Sequence, residues 1–175
     1  LESMHAEIAR TSELLNELED RLIYENDSFE LNIALTDISE TAAKVALGHE
    51  GGFAQKGLEF LTEIEPGIVI PADSTRFAQV LINILSNAMK YTHEGRVVLS
   101  LKRDGDSTEL LVADTGEGIA PEVIENISTR SAQAFKAVNS KGVGSVIAKL
   151  IIDKHGWKLS IDSDPAAGTR VSVLM

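Results

Sequence analysis

The apolar residues at the start of the chain recur with a seven-residue period. The repeat places Leu1, Ile8, Leu15 and Leu22 at one heptad position and Met4, Thr11 and Leu18 at the d position between them. A stripe this narrow is typical of a helix in a helical hairpin or a dimeric bundle. We therefore predict a heptad helix over residues 1–26, with an amphipathic helix packed on its own domain as the alternative.

From residue 29 onward, short apolar runs alternate with stretches of helical period. Asp73 or Ser74 predicts a helix N-cap, and Asp104-Gly105-Asp106 predicts a hairpin turn. Gly51-Gly52 is expected to end the helix before it. The predicted strands are 29–34, 58–64, 67–72, 96–103, 108–114, 158–162 and 169–175, and the predicted helices are 38–50, 74–91 and 146–155. This order indicates an α+β fold with a mixed, mainly antiparallel sheet packed by helices.

The helix predicted over residues 74–91 has an unusual polar face. Its apolar side carries Phe77, Leu81, Ile84, Leu85 and Ala88. The opposite side places Asn83 and Asn87 four residues apart, followed by Lys90. Carbonyl oxygens suit a hard cation such as Mg²⁺, and an ammonium suits a phosphate. The pattern alone is equally consistent with an ordinary amphipathic helix and with a ligand-binding face.

Three glycine-containing turns are further candidates for ligand contacts. DTGEGI (114–119) follows a predicted strand, KGVGS (141–145) precedes a predicted helix, and Gly168-Thr169 lies in the last predicted hairpin. Glycine allows tight turns and a close approach to a ligand, and the N-terminus of a helix attracts phosphate. Each turn by itself is equally consistent with a connection that needs a flexible backbone.

Composition excludes several classes of function. The formal net charge of −11 over 175 residues argues against a general nucleic-acid binder and against contact with an anionic membrane. Without cysteine, the chain forms no disulfide and no thiolate metal site. No apolar run is long enough to span a bilayer, and we expect a cytoplasmic protein or the cytoplasmic portion of a membrane protein.

Taken together and in this order, the motifs resemble the ATP-binding domain of sensor histidine kinases, within the gyrase/Hsp90/histidine-kinase/MutL superfamily. FAQVLINILSNAMKYT resembles the N box, DTGEGI the G1 box, GVGSVIAKLIIDKHG the G2 box and Gly168-Thr169 the G3 element. The resemblance implies a two-layer α/β sandwich of the Bergerat type over residues 29–175. It also implies that residues 1–26 correspond to the second helix of a dimerisation hairpin, without the acceptor helix.

The same resemblance implies roles for individual residues. Asn87, with Asn83 as a second candidate, would bind Mg²⁺, and Asp114 would accept a hydrogen bond from the adenine amino group. The ATP-binding set it implies is Asn83, Asn87, Lys90, Tyr91, Asp114, Gly116, Gly118, Ile119, Lys141, Gly142, Gly144 and Thr169. The implied partners are ATP or ADP, a phosphoacceptor domain of the same protein, a response regulator and a second copy in a homodimer.

Departures from the family pattern leave other functions open. Asn83 stands where the gyrase and Hsp90 branches carry a glutamate base, and an amide is no general base, so the pattern favours a kinase. His5 is followed by Ala6 and not by the usual acidic residue, Trp157 replaces a glycine, and the lid (115–141) lacks its phenylalanine-rich box. A nucleotide-binding pseudokinase and a Ser/Thr kinase of the anti-sigma type are the alternatives.

Overall fold

The computed structural model describes residues 29–121, 124, 143–165 and 167–175. The predicted heptad helix and most of the predicted lid lie outside the described residues, as do Lys141 and Gly142. In chain order the elements are β1 (Ala34–Asp37), α1 (Ile38–Gln55), β2 (Glu59–Ile64), β3 (Val69–Ala72), α2 (Ser74–Tyr91), β4 (Arg96–Asp104), β5 (Ser107–Asp114), α3 (Val143–Lys154), β6 (Lys158–Asp164) and β7 (Gly168–Leu174).

The main sheet has five strands in the order β2-β4-β5-β7-β6. Strand β2 pairs with β4 in parallel, and the other three pairs are antiparallel. The predicted fold class, a mixed and mainly antiparallel sheet packed by helices, is confirmed. The smaller antiparallel pair of β1 and β3 was not anticipated.

The helices bury their apolar faces on the main sheet. Alternate residues of β4, among them Val97 and Leu99, lie in one core cluster with Leu81 and Leu85 of α2 and with Ile151 of α3. Alternation of this kind is what a strand with one buried face requires. The prediction for α2 is confirmed, since its residues at the apolar positions are buried. Helix α2 packs beside both α1 and α3.

The predicted end of α1 at Gly51-Gly52 is wrong, because the helix continues to Gln55. Gly52 faces α2 so closely that an added Cβ would lie 2.9 Å from Met89 Sδ. Phe53, one residue further, is fully buried. Burial of this last turn therefore outweighs the low helix propensity of glycine.

Two other predicted boundaries are wrong. Residues 29–33 form no strand, and β1 begins at Ala34 instead. The backbone N–H of Asn32 donates to Asp73 Oδ2 at 2.9 Å, so this segment bonds to a side chain and not to a strand ladder. Helix α3 begins at Val143 and not at residue 146, which places Gly144 inside its first turn.

Asp73 connects the entering chain to α2 and α3. Its carboxylate accepts from Arg76 N–H at 3.1 Å as the N-cap of α2, and from Asn32 N–H. Its own N–H donates to His155 Nε2 at 3.2 Å, while His155 Nδ1 lies 2.8 Å from the Ile151 carbonyl. Because Nε2 accepts, the proton of this imidazole is on Nδ1.

Trp157 occupies the position where the family pattern has glycine because it contributes to packing. Its ring stacks on His155 with centroids 4.0 Å apart. It meets Phe77 edge-on at 6.2 Å. The substitution thus extends the core cluster next to the Asp73 connection.

Replacing Gly51 tests the continuous α1. Gly51 is exposed, lies within the helix, and a Cβ there would meet nothing within 4 Å. Gly51→Ala should raise the free energy of unfolding by roughly 0.5–1 kcal/mol, because alanine loses less backbone entropy in a helix. Denaturant unfolding measures this. Gly57→Ala is the control and should not stabilise, since Gly57 has a φ of +71°. An unchanged or lowered stability for Gly51→Ala would contradict the helix.

Replacing Asp73 tests its role as a helix cap. Burial by itself raises the pKa of Asp73. The N–H donors of Asn32, Arg76 and Thr75, together with the Arg76 cation, lower the pKa by more than burial raises it. The net pKa therefore lies below the ordinary value of 3.8. The resulting stabilisation is complete above pH 3.8 and is lost as the pH falls through the native pKa. Asp73→Ala should therefore cost about 1–2 kcal/mol at neutral pH and less in acid.

Denaturant unfolding curves at neutral pH and at a pH below the native pKa of Asp73 measure the effect of Asp73→Ala. The exposed neighbour Ser74 supplies the control variant Ser74→Ala. A loss of stability that is equal at the two pH values would show that the charge of Asp73 contributes nothing.

Candidate functional site

Asp114 is a half-buried carboxylate at the end of β5. Its Oδ1 accepts from Gly116 N–H at 2.8 Å. Burial raises the pKa of this carboxyl above its ordinary value, although N–H donors of Gly116 and Thr169 and the nearby Thr92 hydroxyl oppose the rise. A half-buried carboxylate with a raised pKa, next to a tight turn, is a candidate for a functional group.

Gly116 lies where the end of α2 meets the loop after β5. A Cβ on Gly116 would be 2.5 Å from the Tyr91 carbonyl oxygen, 2.8 Å from Asp114 Oδ1 and 3.0 Å from Thr92 Oγ1. The next residue, Glu117, donates its N–H to the Tyr91 carbonyl at 3.2 Å. The end of the N box therefore contacts the G1 box directly. Residue 116 must be glycine, because the three oxygens leave no room for a Cβ.

Two further glycines bring the G1 and G3 elements together. Gly118 has a φ of +73°, and a Cβ there would be 2.4 Å from the Asp164 carbonyl oxygen at the end of β6. Gly168 has a φ of +94°, and its Cβ would be 2.0 Å from the Asp114 carbonyl oxygen. In this structure both residues are needed for backbone packing and for left-handed backbone angles.

Ser163 is a site residue that the sequence did not reveal. Its Oγ accepts from Ile119 N–H at 2.8 Å, donates to the Gly168 carbonyl at 3.0 Å and lies 2.9 Å from Thr169 Oγ1. Since Ser163 has one hydroxyl proton, Thr169 is then the donor in their shared bond. This network attaches Ile119 and Thr169, both predicted site residues, to each other. No motif marks Ser163, because it lies in a strand of alternating polar residues.

The polar side chains predicted for α2 are half-buried or exposed. Asn83 and Asn87 are half-buried, and Lys90 and Tyr91 are exposed. The Lys90 ammonium lies 5.2 Å from the centre of the Tyr91 ring. The structure brings together Tyr91, Asp114 and the glycine loop, whereas Asn87 lies one turn and Asn83 two turns earlier on α2.

The amide oxygens on α2 suit a magnesium ion, which needs only one or two protein ligands. The described part of the chain has no group of three His, Cys, Asp or Glu side chains that could hold a metal. Magnesium usually keeps several waters and takes the remaining ligands from substrate phosphates and one or two protein oxygens. Asn87 and Asn83 can supply such oxygens.

Comparisons with known proteins identify the family. The model of the histidine kinase-, DNA gyrase B- and HSP90-like ATPase family matches residues 72–175. The chain therefore belongs to this family, and the resemblance of its sequence motifs to it is confirmed. None of the helices in the described residues has the length and apolar character needed to cross a membrane.

Curated relatives extend over nearly the whole chain. Histidine protein kinase DivJ of Caulobacter vibrioides is 31% identical across 98% of this chain and 30% of its own length. Sensor histidine kinase YkoH of Bacillus subtilis is 31% identical across 99% of this chain and 38% of its own length. The chain thus spans about a third of the length of these relatives.

Solved structures share the fold. The Acinetobacter baumannii histidine kinase AdeS matches with a TM-score of 0.76 and 22% identity, covering 99% of this chain and 82% of that one. Full-length ShkA in complex with AMPPNP matches with a TM-score of 0.76 and 28% identity, covering 93% of this chain and 35% of that one. The first match supports the fold alone, and the second concerns a protein with a bound nucleotide analogue.

Replacing Asp114 should separate stability from binding. Because burial raises its pKa above the ordinary 3.8, ionisation of Asp114 lowers native stability as the pH rises through and beyond that value. Asp114→Asn should therefore be as stable as the parent or more so at neutral pH, and should bind adenine nucleotide at least about tenfold more weakly. Urea unfolding and calorimetry measure the two effects.

The exposed Asp162 on β6 supplies the control variant Asp162→Asn, which should change neither quantity. Parental binding by Asp114→Asn would remove Asp114 from the site. A clear loss of stability would instead assign it a structural role.

Proposed function

We propose that this domain binds Mg²⁺·ATP and transfers the γ-phosphoryl group to a histidine of a dimerisation domain in two-component signal transduction. Family membership and the named histidine kinases among its relatives support this assignment. The similarity to ShkA with AMPPNP supports ATP as the substrate. Following the pattern of such kinases, residues 1–26 would belong to the dimerisation hairpin and residues 29–175 to the kinase domain.

The half-buried Asp114 carboxylate is the observation that carries the proposal. It is an acceptor beside a turn where three oxygens leave room for no side chain at Gly116. An ionised carboxylate can accept from the amino group of adenine, whereas guanine presents a carbonyl oxygen at the corresponding position. A buried acceptor that meets another acceptor is left unpaired, which costs far more than a lost contact. Adenine specificity follows from this.

Asn87 and Asn83 would hold the magnesium ion, and Lys90 would contact phosphate. The bound ion supplies charge neutralisation on the phosphate oxygens. Lys90 is exposed and can move to a phosphate, because its contact with the Tyr91 ring is of a kind worth about 0.5–1 kcal/mol at an exposed site. Gly144, in the first turn of α3, lies where a helix N-terminus favours negative charge.

The amide of Asn83 favours transfer over hydrolysis. An amide side chain cannot remove a proton from water, so this face of α2 has no general base at that position. The phosphoryl group would then remain available for a better positioned nucleophile. A histidine on a dimerisation helix is the acceptor we propose, with a response regulator as the next partner, a homodimer as the assembly and the cytoplasm as the location.

Two of the three described histidines, His49 and His155, are poor acceptor candidates because their ring nitrogens contact the backbone. His49 Nδ1 lies 2.8 Å from the Val45 carbonyl, and both ring nitrogens of His155 are engaged with backbone. His93 is exposed, with Nε2 3.9 Å from Glu117 Oε2. These contacts support an acceptor elsewhere, in a separate dimerisation hairpin.

Binding and transfer assays test the proposal together. The parent chain should bind ATP more tightly with Mg²⁺ than without. With γ-radiolabelled ATP, it should transfer the labelled phosphoryl group to a histidine on a supplied dimerisation hairpin. Asn87→Ala should reduce the Mg²⁺ enhancement by at least about tenfold. Asn32→Ala is the control, since that exposed residue bonds through its backbone N–H.

The outcomes separate the alternative functions. ATP binding without label on any hairpin would indicate a pseudokinase. Label on serine or threonine of a supplied protein would indicate the anti-sigma type. Absence of ATP binding would overturn the site assignment altogether.

A further inference from the structure

The Thr92 hydroxyl is a buried polar group without a partner. Thr92 follows α2 directly, its backbone N–H donates to the Ala88 carbonyl, and its side chain is fully buried. Its Oγ1 makes no hydrogen bond to any described residue. Buried hydroxyl groups are usually paired, because an unpaired one costs free energy in the folded state. An unpaired one beside a ligand site therefore needs an explanation.

The surroundings of this hydroxyl indicate the partner. The position that a Cβ on Gly116 would take lies 3.0 Å from Thr92 Oγ1 and 2.8 Å from Asp114 Oδ1. The hydroxyl is close enough to Asp114 to favour its ionised form, but without the geometry of a hydrogen bond. The third group around that point is the Tyr91 carbonyl oxygen, which already accepts from Glu117 N–H. A small rotation of either side chain would allow Thr92 to donate to the carboxylate.

We propose that Thr92 is a positioning residue of the nucleotide site, whose hydroxyl donates to the Asp114 carboxylate when an adenine nucleotide is bound. The bond orients Asp114 as an acceptor toward the base amino group. It also gives a third donor to a carboxylate that already accepts from the N–H groups of Gly116 and Thr169. Thr92 does not need to touch the nucleotide, since it acts through Asp114. This inference rests on the proposed function.

The unpaired Thr92 hydroxyl predicts opposite effects on the free energy of unfolding, measured without nucleotide, and on nucleotide affinity. Thr92→Val keeps the shape and the extended backbone that a β-branched residue favours, and it removes the unpaired group. Its free energy of unfolding without nucleotide should equal or exceed that of the parent. Its affinity for AMPPNP should fall about tenfold, with a much smaller change for the guanine analogue GMPPNP. Thr92→Ser keeps the hydroxyl and should retain the preference for adenine.

The experiment measures calorimetric binding of AMPPNP and GMPPNP with Mg²⁺, and urea unfolding without nucleotide, for the parent, Thr92→Val and Thr92→Ser. The exposed Thr62 on β2 provides the matched control Thr62→Val. A stable Thr92→Val with a reduced adenine preference supports the proposal. Parental binding by Thr92→Val, or a destabilised variant that loses both nucleotides equally, overturns it, the latter by assigning Thr92 a structural role. If the parent binds neither nucleotide, the proposed function fails as well.

Discussion

The close backbone approach around Asp114 is the constraint on which the rest of the site depends. Three glycines meet oxygen atoms at distances where a Cβ would lie 2.5 Å, 2.4 Å and 2.0 Å from a carbonyl, at Gly116, Gly118 and Gly168 respectively. These carbonyls belong to the ends of α2, β6 and β5. The loop after β5 therefore reaches its conformation when all three elements are in place. Formation of the site is therefore coupled to the correct placement of these three elements.

Two aspartates, the buried Asp73 and the half-buried Asp114, differ in how far the chain satisfies their carboxylates. Asp73 accepts backbone N–H bonds as a helix cap, and the net effect lowers its pKa despite burial. At Asp114 burial dominates over its donors, so its pKa is raised. A carboxylate that stabilises a fold has its acceptor capacity filled by the chain, whereas a carboxylate that binds a ligand keeps some of it open. Incomplete satisfaction at Asp114 and Thr92 is therefore consistent with a binding site that costs stability.

The sequence was informative where local pattern determines structure. The apolar face of α2 and the β4–β5 hairpin follow from side-chain period and turn chemistry, and the G1 aspartate follows from its motif. It was less informative where tertiary contacts decide. Burial of Phe53 extends α1 through Gly51-Gly52, and the Asp73 side chain takes the Asn32 N–H that a strand would have used. Ser163 and Thr92 could not be found from spacing, because their importance arises from neighbours that are distant in sequence.

Helix α2 separates the segment by which the chain enters the domain from Thr92. Phe29 lies against the cations of Arg76 and Lys154, at 5.0 Å and 4.6 Å from its ring centre, and Lys154 donates to the Phe29 carbonyl. The entering chain is therefore attached at the N-terminus of α2, while Thr92 follows its C-terminus. Eighteen helical residues separate these ends by about 27 Å. Because α2 and α3 share one core, residues 29–32 are connected to the far end of α2 through these packed helices.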